Sequence, residues 1–186
     1  MTDVVNPLAE LSPERRRLLE LRMRQRQAQA AGPELRPVPR PDGVAPLSAS
    51  QARLWVMERI DPFGGAYTSS LAYRVRGPLD VAALRGALDA LAARHETLRT
   101  TFAERDGVPV QVIHPPTPAP FAVVDLSHLS HEERETEARR RAEEDAGTGF
   151  DLVNGPVTRF TLLRLGERDH ALLLAMHHLV TDGWSL

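Results

Sequence analysis

The stretch HALLLAMHHLVTDG, residues 170–183, holds the longest apolar run of the chain, Ala171 to Met176, and ends in two adjacent histidines. A run of this length, closed by Asp182-Gly183, reads as a buried strand passing into a loop. Side chains on a strand alternate between faces, so His178 shares a side with Met176, Leu174 and Leu172. His177 faces the other way with Ala175 and Leu173. Two neighbouring histidines on a strand cannot converge on one small target, so different roles are expected for them. His178 and Asp182 would share a face on a helix, but a strand running into a glycine separates them. A third ligand would have to come from elsewhere, and no metal site is predicted. Ionisable groups clustered at the end of a buried strand point instead to chemistry.

Around this strand, helical and extended patterns interleave. Ser48 opens a short helix, ASQARLWVMERI, and Asp80 caps DVAALRGALDALAARHETL, whose Leu84, Ala87, Leu88 and Leu91 recur at helical spacing. Ser69 to Val75 has strand character. Arg99 to Glu104 and Val108 to Ile113 form a hairpin across Asp106-Gly107, a pair that tolerates positive φ. Phe121 to Val124 resumes as a strand after PPTPAP. Ser130 and Glu133 form a capping box for a charged helix. Val157 to Leu165 and His170 to His177 pair across GERD. This pattern predicts an α/β (α+β) fold, a mixed sheet covered by helices largely on one side.

The N-terminal region differs in kind. Ser12-Pro13 signals a helix start, and a basic helix with Arg15, Arg16, Arg17, Arg22, Arg24 and Arg26 runs to Ala30. Prolines 33, 37, 39 and 41 follow. The organisation predicted is a basic helix over 1–31, a Pro-rich linker over 32–46, and a folded domain over 47–186.

Composition narrows the function. The 186 residues are 42% hydrophobic, enough to build a core, and the formal charge of −2 argues against a nucleic-acid binder. There is no cysteine, so thiolate catalysis, thiolate zinc and disulfides are excluded. The first residues lack an apolar signal segment, and no apolar run is long enough to span a bilayer. A cytoplasmic protein is expected, without nucleic-acid or membrane partners.

Three stretches carry a resemblance. HHLVTDG matches HHxxxDG, the signature shared by the condensation domains of nonribosomal peptide synthetases and their acyltransferase relatives. LSASQARLWVMERIDP resembles the opening motif of those condensation domains, in the form associated with an L-configured donor. RHETLRTTF, Arg94 to Phe102, resembles their second motif. The resemblance implies a chloramphenicol-acetyltransferase-like fold, of which 47–186 would be the N-terminal half-domain. It implies amide formation: the amine of a carrier-bound acceptor aminoacyl thioester attacks the carbonyl of a carrier-bound donor thioester. His178 would be the catalytic residue, as the base taking the amine proton or as the hydrogen-bonding partner orienting the amine. Gly183 would position substrate or contact the developing oxyanion through its N–H. Asp182 would pair with Arg94 as structural support, and His177 would pack beneath the site.

No directly bound cofactor is implied, since substrates arrive on the 4'-phosphopantetheine of donor and acceptor peptidyl carrier proteins. Adjacent synthetase domains are the other implied partners, and residues 1–31 are a candidate docking element for an upstream synthetase protein. Trp55 and Trp184 read as core or wall aromatics, and His95 and His170 as surface or capping residues. Because the C-terminal half is absent, the isolated chain is expected to be inactive and to self-associate through the face beside His178. Two alternatives stay open: a free-standing HHxxxDG acyltransferase using coenzyme A thioesters, and a noncatalytic platform that recruits proteins.

Overall fold

The computed structural model describes residues 12, 14, 17, 18, 20–23, 38–40, 42–60 and 65–185. The chain divides into two compact units, Met1–Pro39 and Arg40–Leu186. In the first unit, residues 14, 17, 18 and 20–23 are helical and exposed. The remainder of the predicted basic helix, and residues 32–37 and 41 of the predicted linker, lie outside the described residues.

The second unit begins earlier than its pattern suggested. Val44–Pro46 (β1) pairs antiparallel with Val108–Ile113 (β4), so part of the expected linker is a sheet edge. Proline is tolerated there because an edge strand need not donate every N–H to a neighbour. Thr100–Arg105 (β3) completes this three-stranded sheet, in the order β1-β4-β3. The turn between β3 and β4 has positive φ at Asp106 and Gly107, as a tight hairpin of this twist requires.

The larger sheet runs β2-β7-β6-β5, built from Thr68–Arg76 (β2), Asp169–His177 (β7), Thr158–Gly166 (β6) and Phe121–Asp125 (β5). Only β5 and β6 run parallel, and the crossover this demands is supplied by His131–Gly147 (α3). Helices cover both faces of this sheet, not largely one. Val81–Arg94 (α2) sets Leu88 and Ala92 against Phe121, Phe160 and Leu162, while α3 sets Ala138 against Leu163, Leu165 and Leu173. Even- and odd-numbered positions of β6 and β7 thus serve different helices, which is why ALLLAM is apolar throughout.

His170, expected at the surface, is buried at 2% exposure. It pairs in register with Val75 on one side and Arg164 on the other, so neighbouring strands flank it on both edges.

Ala49–Ile60 (α1) belongs to a third cluster. Trp55, Phe102, Leu152, Val157, Leu179 and Val180 pack together, joining α1 to the smaller sheet and to the turn after β7. Phe102 is fully buried, and its N–H donates to Leu152 O at 2.8 Å. Among the described residues, no helix is long and apolar enough to cross a membrane.

Candidate active site

Strand β7 ends at His177, and the chain turns at once through residues 178–180. The turn is closed by Val180 N–H donating to His177 O at 3.0 Å. Leu179, Val180 and Thr181 are buried, so the segment dives back into the molecule after exposing a single side chain, that of His178.

His177 is the buried member, at 1% exposure. Its Nδ1 accepts the Leu179 N–H at 3.1 Å, and its Nε2 lies 3.1 Å from Glu58 Oε1. A nitrogen that accepts a backbone N–H carries no proton, so the proton sits on Nε2 and is donated to Glu58. Phe150 and Tyr67 flank the ring, each with its centroid 6.4 Å away. Burial pulls the His177 pKa below the ordinary imidazole value, and Glu58 opposes that pull. His177 is a neutral, doubly bonded strut.

His178 has a firm backbone and an open side chain. Its N–H donates to Tyr67 O at 2.9 Å, and its imidazole is exposed. Ser69 Oγ lies 3.4 Å from Nδ1 and 3.3 Å from Nε2, beside the carbon that joins them. At such equal, long distances the hydroxyl steadies the ring without claiming either nitrogen. A ring nitrogen therefore remains available to an incoming group.

Asp182 serves its own turn. One oxygen, Oδ1, accepts from Ser185 Oγ at 2.7 Å, Ser185 N at 2.9 Å and Trp184 N at 3.1 Å. The Ser185 hydroxyl and backbone bonds hold its carboxyl below the usual carboxylate range. The expected ion pair with Arg94 is not formed among the described residues: Arg94 is exposed at the last position of α2. Asp182 Oδ1 is instead engaged by donors within three residues of it, in its own turn. Gly183 is exposed in this turn, and an added Cβ there would meet nothing within 4 Å. Trp184 is 99% exposed, so of the two expected positions, core or wall, the core one does not hold.

Two residues with a hold on this site, Glu58 and Gln51, went unnoticed in the sequence. Gln51 Nε2 donates to Leu179 O at 2.9 Å, and Gln51 Oε1 accepts the Ser48 N–H at 2.9 Å. Gln51, Trp55 and Glu58 recur at helical spacing on α1 and meet the 177–180 turn along one stripe. The only signal was polar residues in register with the buried Trp55.

Comparison with known proteins fits this arrangement. The sequence model described as "Condensation domain" matches residues 42–186, most of the chain. The chain belongs to the condensation-domain family. It is 46% identical over 153 residues to one of the linear gramicidin synthase proteins of Brevibacillus parabrevis, covering 82% of this chain and 2% of that protein. Over all 186 residues it is 40% identical to phosphinothricin tripeptide synthetase PhsC of Streptomyces viridochromogenes, spanning 17% of that protein. The first condensation domain of the calcium-dependent antibiotic synthetase, solved with a substrate analogue, superposes with a TM-score of 0.67 at 33% identity. That match covers 75% of this chain and 34% of the solved one, so the condensation fold is present here in part. The chloramphenicol-acetyltransferase-like mixed α/β architecture expected from the motifs is the one observed.

Proposed function

We propose that this chain contributes the His178 side of an amide-forming condensation site. The reading is supported by the exposed His178 imidazole, raised on a turn whose base, His177, is locked on both ring nitrogens. The acceptor amine attacks the donor thioester carbonyl; a C–N bond forms, the C–S bond breaks, and the leaving group is a pantetheine thiolate. His178 takes or orients the amine proton, which ends on that thiol. Proton transfer of this kind contributes about 10²–10⁴-fold. Both substrates would be carrier-bound, and the form of the LSASQARLWVMERIDP motif supports an L-configured donor. Gly183 N–H, in the following turn closed by Ser185 N–H donating to Asp182 O, would help position the substrate.

The test is His178→Ala in a complete condensation domain containing this segment, assayed with loaded donor and acceptor carrier proteins. Loss of about a hundredfold or more in product formation is expected. Product formation at the unsubstituted rate would refute the role given to His178. Residues 1–31, rich in arginine, are proposed as a docking element for a neighbouring synthetase protein.

A further inference from the structure

Glu58 lies on α1, a helix remote in sequence from the histidine pair, yet its carboxylate reaches beneath the site. His177 is 2% exposed at its side chain and Glu58 15%, so their contact is largely shielded from water. The partners of His177 act in concert: an acceptor at Nε2 and a donor at Nδ1 both require the same tautomer and the same ring orientation. The Nδ1 bond goes to Leu179 N–H, the residue immediately after His178, and Leu179 O is held from the same helix by Gln51. His178 is therefore bracketed. Its predecessor is fixed through Glu58 and its successor through His177 and Gln51, while its own N–H is tied to Tyr67 O.

We propose that Glu58 is a positioning residue for the reaction site, orienting His177 so that the 177–179 turn presents His178 in one direction. Removing the carboxylate takes the acceptor from a buried imidazole N–H and frees the ring to rotate toward another partner. Rotation breaks the Nδ1 bond to Leu179 and loosens the turn on the far side of His178. Glutamine at this position still offers an oxygen to Nε2, so the geometry and not the charge is the requirement.

Proton NMR of the 186-residue chain tests the geometry without any assay of turnover. In the unsubstituted chain the His177 Nε2 proton should be visible and the Leu179 amide protected from exchange. Glu58→Ala should lose the Nε2 proton signal and exchange Leu179 at least tenfold faster, with dispersed amides elsewhere showing that the fold persists. Glu58→Gln should retain both features, and it carries the test if the alanine variant does not fold. An unchanged Leu179 exchange rate in Glu58→Ala, or its loss in Glu58→Gln, would overturn the proposal. The activity arm rests on the reading of His178 given above. In a complete condensation domain, Glu58→Ala should lower kcat about 10–100-fold with KM little changed, as for other partners that orient a functional histidine, and Glu58→Gln should restore it. Normal kcat in Glu58→Ala sinks the positioning role. If His178→Ala were also fully active, the catalytic reading would fail while the NMR result stood on its own.

Discussion

At His177, proton affinity and fold stability are one problem. The ring is buried, so protonation would place a charge away from water, and its folded-state pKa lies below the ordinary 6.5. The unfolded chain therefore binds this proton more readily than the folded one. By linkage, stability rises with pH between the folded and unfolded pKa values and is fully present above about 6.5. It is lost as the pH falls below that value. The His177 Cε1 proton should accordingly titrate with a midpoint below 6.5 in NMR, and the urea midpoint should be lower at pH 5.5 than at pH 7.5. A His177 midpoint at or above 6.5 would mean that the carboxylate of Glu58, and not burial, dominates the site. The two histidines divide their labour at this scale. HHLVTDG alone showed that they point apart, but which one had lost its freedom depended on Glu58, which lies 119 residues away.

At the scale of elements, local chemistry was legible wherever the determinant lies within a few residues. Asp80 caps α2 by accepting the N–H of Ala82 and Ala83, and Ser130 with Glu133 forms the capping box of α3. The β3–β4 hairpin needed only Asp106-Gly107. Strand β1 and the two-sided helix cover were not legible, because a strand's partner and a helix's face are decided by distant residues. The ALLLAM run of β7 signalled burial on both faces, but not which helix would lie on each. Glycines separate local from tertiary determinants in the same way. Gly86 is exposed inside α2, where an added Cβ meets nothing within 4 Å. Gly86→Ala should therefore stabilise the fold by about 0.5–1 kcal/mol through helix propensity. Gly155 has φ +70°, and a Cβ there would lie 2.9 Å from Thr101 Cγ2. Gly155→Ala combines a left-handed backbone with a contact in the loop that carries Val157, whose carbonyl holds His177 N–H. It should destabilise by about 1–3 kcal/mol. Chemical denaturation of the two variants beside the unsubstituted chain checks both signs, and opposite shifts of the midpoint are expected.

At the scale of the whole molecule, the site is a platform open to solvent. His178 is exposed, and nearby elements carry apolar side chains with no cover: Trp184 at 99%, Ile60 at 74% and Val56 at 50% exposure. Trp184 read as a core or wall aromatic, and among the described residues it is not part of the core. The chain spans about a third of the solved condensation domain it resembles and a far smaller share of the synthetases. Bringing an amine and a thioester together in line can lower the barrier by about 7–11 kcal/mol, but only if both are held and water is kept out. A single exposed imidazole on one surface holds neither substrate. The 186-residue chain, given donor- and acceptor-loaded carrier proteins, should form no product above the uncatalysed background, whereas a complete domain containing the same segment should turn over. The exposed apolar side chains should also favour self-association, detectable by sedimentation as a concentration-dependent shift above the monomer mass of 20.6 kDa. Product formation by the isolated chain would show that His178 and its turn suffice without the rest of a complete domain. A strict monomer at all concentrations would show that Trp184 and its neighbours are tolerated by water as they stand.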